Sequence, residues 1–314
     1  MIDQQLGIVF PGQGSQSIGM LADIATQYPE IKTAFAEASD VLHYDMWQLV
    51  QEGPAEQLDK TMYTQPALLT ASYAIWRILQ TRLEMTPAFI AGHSLGEYTA
   101  LVCADALTFS DAVKLVAARG EYMQDAVAPG VGAMAAIIGL DDIKVKDICN
   151  EARLSGEVLS PANFNSIGQV VVAGHKASVE RAIGIAKEQG ARMAMLIPVS
   201  VPSHCALMLP AAERLAVLLS KMTIKKPTLS VINNVDIIQY DTEGSIRDGL
   251  TKQLSMPVRW VETVQFFTRQ GITQIIECGP GKVLTGLNKR IDKSLQLIST
   301  SDLAGLGTVL NRNS

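Results

Sequence analysis

Cysteine is sparse and scattered. Cys103, Cys149, Cys205 and Cys278 show no paired spacing. Neither a zinc site nor a disulfide framework is expected, and a reducing cytoplasmic compartment is. Apolar runs are short, well under the roughly 18 residues of a membrane-spanning helix, so no membrane association is expected. The segment Met1-Ile-Asp-Gln-Gln-Leu6 has neither the basic start nor the apolar stretch of a secretory signal. Positive charge is in deficit: 26 Lys and Arg against 31 Asp and Glu give a net charge of −5. No basic field therefore advertises a nucleic-acid partner. Histidine is also rare, at four residues, which makes the search for a general base short.

The 314 residues, 48% of them hydrophobic, suffice for one large core, or for a large and a small one. Leu6 to Phe10 reads as a buried strand running into the loop Pro11-Gly-Gln-Gly-Ser-Gln16. A dinucleotide loop would need a third glycine where Ser17 stands, and an acidic residue closing a second strand about 20 residues on. The stretch 23–50 has a largely helical pattern. A dense apolar helix follows over 61–83, with Thr64-Gln65-Pro66 placed as its first turn. Ala88 to Ala91 is a second buried strand. A helix capped by Ser110-Asp111 runs to about Ala126. From Ala133 the rhythm changes to strand, helix, strand, strand, helix, strand, the order of a ferredoxin-like module. Asn163-Phe164-Asn165 is expected in the loop between its middle strands. Strands and helices alternate again after Pro198, which argues a mainly parallel sheet covered on both faces. The expected organisation is a discontinuous large α/β domain, 1–128 and 199–314, with a small ferredoxin-like insertion at 129–198.

Between the strand ending at Ala91 and the helix starting at Glu97 lies Gly92-His93-Ser94-Leu95-Gly96. A G-x-S-x-G turn in this context is a nucleophile elbow, with the serine exposed at the apex and a helix N-terminus beside it. Serine needs a base to become nucleophilic. His43 lies in a polar helical stretch. His93 is read as packing behind the elbow, and His175 as a surface residue of the small module. By elimination, His204, in the loop Val201-Pro-Ser-His204, is the base. The carboxylates between Ser94 and His204 in the large domain do not sit where a triad acid would. A Ser–His pair oriented by a backbone carbonyl is the alternative to a triad. Arg119 shares a helical stripe with Leu115 and Tyr122 beside an apolar face, so it approaches the core. A buried guanidinium requires an anion, either an internal carboxylate or a bound one.

The ordered set Phe10-Pro-Gly-Gln-Gly-Ser-Gln16, Thr64-Gln-Pro-Ala67, Gly92-His-Ser-Leu-Gly-Glu-Tyr98, Arg119, Val201-Pro-Ser-His204, Gln253 and Glu277-Cys-Gly-Pro-Gly-Lys-Val-Leu284 resembles the malonyl-CoA:acyl-carrier-protein transacylases, the acyltransferases of fatty-acid synthesis. The resemblance covers nearly the whole chain. It implies an α/β-hydrolase-like core with an inserted ferredoxin-like subdomain. It implies ping-pong transfer of malonyl from malonyl-CoA to the phosphopantetheine thiol of an acyl carrier protein, through an ester on Ser94, with no bound cofactor or metal. His204 would be the base, and the backbone N–H groups of Gln13 and Leu95 the oxyanion hole. Arg119 would grip the malonyl carboxylate and the Gln253 carbonyl would orient the histidine. Gln65, Asn165 and Val283 match pocket positions. Ser203 stands where related acyltransferases vary with acyl preference. An acidic carrier protein calls for a basic dock, for which Lys282, Lys289, Arg290 and Lys293 form the densest cluster and Lys225 with Lys226 a second. A monomer is expected. The rival readings are a serine thioesterase or hydrolase using the same Ser–His pair, and a carrier-binding subunit without catalysis.

Overall fold

In the computed structural model, residues 2–82, 86–199 and 201–311 are described. Among them are nine strands: β1 (Ile2–Phe10), β2 (Thr86–Gly92), β3 (Gly132–Ile138), β4 (Leu159–Ser166), β5 (Gln169–His175), β6 (Met193–Leu196), β7 (Val231–Ile232), β8 (Gln274–Glu277) and β9 (Gln296–Ser299). Five of them form a sheet in the order β7-β2-β1-β8-β9, and every pairing in it is parallel. β1 is central, and Leu6 to Phe10 are buried throughout, as a continuous apolar run in a sheet covered on both faces requires. The remaining four strands form a second sheet, β4-β5-β3-β6, antiparallel throughout. With the helices Asp142–Ala152 and Lys176–Glu188, it is the ferredoxin-like module inserted in an α/β-hydrolase-like core.

Several local expectations are corrected. The stretch 23–50 is divided between the helices Pro29–Leu42 and Met46–Glu52, because His43 takes a left-handed conformation (φ 60) that ends the first. The long core helix starts at Thr61, so Pro66 lies inside it and not in its first turn. The next helix, Phe109–Asp125, is capped by Thr108, whose hydroxyl accepts from Asp111 N at 3.2 Å. An N-cap supplies an acceptor to the N–H three positions on, and Thr108 occupies that position where Ser110 does not. Asn163, Phe164 and Asn165 belong to β4 rather than to a loop. Their strand also bonds to the segment before the helix Trp260–Arg269: Phe164 N donates to Val258 O, and Val258 N to Ala162 O, both at 2.9 Å. No helix among the described residues is long and apolar enough to cross a membrane.

Because β1 and β2 are parallel neighbours, with Phe10 opposite Gly92, the loop after β1 and the turn after β2 leave the sheet at the same edge. β7 pairs with β2 through Ala91 and Ile232, which brings Asn233 and Asn234 to that edge too. Ligand sites of open α/β sheets form at such carboxyl ends.

Candidate active site

At the end of β2 the chain reverses into the helix Leu95–Cys103, with Ser94 at φ 50 and ψ −104. This is a strained conformation for a residue with a side chain. The turn closes only because its flanks are bare. A Cβ on Gly92 would overlap the Gly96 carbonyl, and one on Gly96 would overlap Phe10 O. Asn234 secures the turn. Ser94 N donates to its Oδ1 at 2.7 Å, and its Nδ2 donates to Gly92 O at 2.6 Å.

Ser94 Oγ lies 2.8 Å from His204 Nε2. The other ring nitrogen, Nδ1, is 2.7 Å from the main-chain carbonyl of Gln253. A carbonyl can only accept, so Nδ1 carries the proton and Nε2 is left to take one from the serine. Burial and the nearby Arg119 cation push the His204 pKa down to about 3, so the ring rests neutral. The carbonyl of Gln253 thus occupies the place of a triad acid.

Arg119 is 1% exposed. Its Nη1 donates to Gln65 Oε1 at 2.8 Å, and its Nη2 donates to Gln253 Oε1 at 3.0 Å and to Ser94 Oγ at 3.2 Å. All three partners are uncharged, and Nε is buried with no hydrogen-bond partner among the described residues. Nε and Nη2 share one edge of the guanidinium, the edge that receives a carboxylate side-on. Of the two origins open for its anion, the internal carboxylate is absent from its contacts.

Ser94, His204, Arg119, Gln13, Leu95 and Asn165 line one cleft of about 370 Å³ between the two sheets. Neither Gln13 N nor Leu95 N has a partner among the described residues, so both N–H groups are available to an oxyanion. His93 does not merely pack behind the elbow. Its ring lines the cleft and its Nε2 meets Asn165 Oδ1 at 2.8 Å, and burial lowers its pKa. Asn165 thereby reaches the main site from β4. Gln65 acts through Arg119 and donates to Met123 Sδ at 3.5 Å. Val283 is placed elsewhere: it opens the helix Val283–Ile291, 44% exposed, outside the cleft lining. The physical reason is Glu277, whose carboxylate accepts from Leu284 N and Thr285 N and anchors that helix start beyond β8. Asn234 is the member of the site that the sequence reading missed, and Glu97 one that it weighed only as a triad acid. Asn234 was reachable as the residue just past a strand neighbouring β2. Among the described residues, no cluster of metal-ligating side chains occurs.

Fold and site are those of an α/β protein with a Ser–His pair at the carboxyl ends of its parallel strands, and the sequence places it among the acyltransferases: it matches the acyl transferase domain family over residues 8–309. It is 56% identical over 308 residues to the malonyl CoA-acyl carrier protein transacylase of Haemophilus influenzae, covering 98% of each chain. It is 54% identical over 308 residues to that of Salmonella typhimurium, covering 98% of this chain and 99% of that one. The chain belongs to the malonyl CoA-acyl carrier protein transacylases. Among solved structures, the transacylase of Coxiella burnetii superposes with a TM-score of 0.96 at 51% identity, with 98% of each chain covered. A malonyl-transacylase in complex with a type II PKS acyl-carrier protein superposes with a TM-score of 0.97 at 53% identity, covering 98% of this chain and 100% of that one.

Proposed function

We propose that Ser94, His204 and Arg119 carry out the family's reaction, the transfer of malonyl from malonyl-CoA to the phosphopantetheine thiol of acyl carrier protein. The observation that carries the assignment is the position of Ser94 Oγ, 2.8 Å from His204 Nε2 and 3.2 Å from Arg119 Nη2. A base and a cation with no carboxylate in direct contact share one nucleophile. An acyl chain esterified there and ending in a carboxylate would reach the guanidinium within its own short length.

Ser94 Oγ attacks the thioester carbonyl while its proton passes to His204 Nε2. The N–H groups of Gln13 and Leu95 receive the oxyanion, each such donor being worth about 10²- to 10³-fold in rate. Collapse of the intermediate expels the CoA thiolate, which takes the proton from His204. The carrier thiol then gives its proton to the same Nε2 and attacks the malonyl ester. The second collapse returns the proton to Ser94 Oγ. Two half-reactions through one ester give ping-pong kinetics. Hydrolysis is the less favoured reading, since His204 is oriented by a carbonyl and not by a carboxylate. Intact-protein mass after incubation with malonyl-CoA tests the assignment. One malonyl adduct is expected in the native enzyme and none in Ser94→Ala, and an adduct in the variant would remove Ser94 from the role.

Residues 1–128 with 199–314 and residues 129–198 are proposed as the two bodies that shape the cleft. In support, the small sheet has its own apolar core, including Ile137, Ile148, Val170 and Val179. A cytoplasmic location accords with four cysteines that are all free and buried.

A further inference from the structure

Directly behind the nucleophile lies a buried carboxylate that the reaction above does not use. Glu97, in the first turn of the helix Leu95–Cys103, is 0% exposed. Its Oε1 accepts from Tyr240 Oη at 2.5 Å. Its Oε2 accepts from Gln253 Nε2 and from Asn234 N, both at 2.9 Å. Ser94, His204 and Arg119 are not among these partners, so Glu97 is not a triad acid.

Its influence passes through Gln253. The amide of Gln253 has one donor and one acceptor side. A carboxylate facing it can only accept, and so can Ser94 O, which takes a second bond from Nε2 at 3.0 Å. Nε2 must therefore point toward Glu97 and the elbow. Oε1 is left to face Arg119 Nη2, at 3.0 Å. The main-chain carbonyl of the same residue orients His204 at 2.7 Å. One glutamine thus touches nucleophile, base and cation, and Glu97 sets which way it faces. The arrangement also answers an electrostatic question. Arg119 needs a counter-charge to be buried, yet a carboxylate in direct contact would occupy the edge a guest anion requires. Glu97, when ionised, supplies the charge one amide away; burial raises its pKa to about 7, against the pull of its bonds to Tyr240, Gln253 and Asn234 and of the Arg119 cation.

We propose that Glu97 is a positioning residue: through Gln253 it fixes the carbonyl that orients His204 and the amide oxygen that holds Arg119, and it serves the guanidinium as a counter-ion at one remove. The inference rests on the roles given above to Ser94, His204 and Arg119.

Glu97→Gln keeps size and an acceptor but removes the charge. For it, kcat per malonylatable site should fall about tenfold, a fraction of the 10²- to 10⁴-fold a general base contributes. KM for malonyl-CoA should not rise, because the guanidinium loses its internal rival for the guest carboxylate. The downfield proton resonance of His204 Nδ1–H, assigned by its absence in His204→Gln, should shift upfield and broaden. Tyr240→Phe removes a single donor from Glu97 and should move the same resonance in the same direction, and it decides the matter should Glu97→Gln not fold. A resonance unmoved in the folded variants, with kcat per site within about twofold of native, overturns the proposal and leaves Glu97 a structural carboxylate. Ser94→Ala is run alongside. An adduct there overturns the site assignment itself, whereas a Ser94-dependent adduct with an indifferent Glu97→Gln overturns only the role of Glu97.

Discussion

At the scale of single residues, the site turns on which groups are left unsatisfied. Arg119 is held by Gln65, Gln253 and Ser94, none of them charged, and its Nε has no partner among the described residues. A malonyl carboxylate would complete that set, while an acetyl group would leave the guanidinium as it is. Breaking a buried pair costs about 3–5 kcal/mol. Arg119→Ala should therefore slow malonyl transfer about 10²-fold or more while acetyl transfer changes far less. Adduct formation rates with malonyl-CoA and acetyl-CoA measure the ratio, and equal losses would refute the carboxylate grip. Ser94 was legible because its motif sits between a strand and a helix, and His204 because only four histidines compete for the role. Glu97 was set aside as a triad acid because it does not sit on a strand-end loop, and its contact with Gln253, 156 residues away in the chain, was out of reach. No local pattern encodes that separation.

At the scale of elements, the elbow depends on the approach of three backbones. The Gly96 position faces Phe10 O at the end of β1, and the Gly92 position faces Gly96 itself. Gly96→Ala forces a methyl against main-chain atoms that cannot rotate away. A loss at or above the upper end of the ~1–3 kcal/mol typical of overpacking is expected, read as a lowered midpoint in thermal or urea unfolding. A midpoint equal to the native one would show that the strand end can yield. The βαββαβ order of the insertion was visible because its elements alternate with clear periodicity. The extent of β4 was not, because Asn163 and Asn165 look like loop residues. In the fold Asn163 pairs with Val171 of β5 on one side while Asn165 falls at an irregularity of that pairing, and the backbone around Asn163 bonds to Val258 on the other. β9 and the helix Leu303–Leu310 also escaped the reading. A four-residue edge strand owes its state to the neighbour it pairs with, β8.

Across the whole molecule, the two sheets are joined at the cleft by Asn165 to His93, and beyond it by Arg290. The Arg290 Nε donates to Ser166 Oγ at 3.3 Å and its Nη2 to Gln169 Oε1 at 3.1 Å. Arg290 thus ties the helix Val283–Ile291 to the β4–β5 hairpin, which separates it from Lys289 as a docking residue. Lys282 is paired with Asp302 at 2.9 Å. Lys225 N bonds to Ala106 O, past the far end of the helix that begins at the elbow, so that cluster lies away from Ser94. Lys289 and Lys293 are the cluster's exposed cations outside these contacts, and Lys289, beside Arg290 on the helix Val283–Ile291, is proposed as the one that meets an acidic carrier. Lys289→Glu should raise KM for the carrier protein and leave that for malonyl-CoA unchanged, since rim charges act on encounter. Equal KM values for the carrier in native and variant enzyme would dismiss the patch.

The chain by itself pointed to the class of sheet, the inserted module, the candidate nucleophile and base, and the buried cation. Each of these is written in a short window: a run of apolar residues, a five-residue turn, a helical stripe. Only the tertiary structure decided what stands around them. It placed Asn234 under the elbow, Gln253 between base and cation, Glu97 behind both, Asn165 in a strand that reaches the cleft, and Val283 outside it. Those outcomes depend on which strand ends share an edge of the sheet and on where an amide with two unlike sides is forced to turn. Several of these relations link residues more than 100 positions apart, and hydrogen-bond geometry in three dimensions, not periodicity along the chain, sets them.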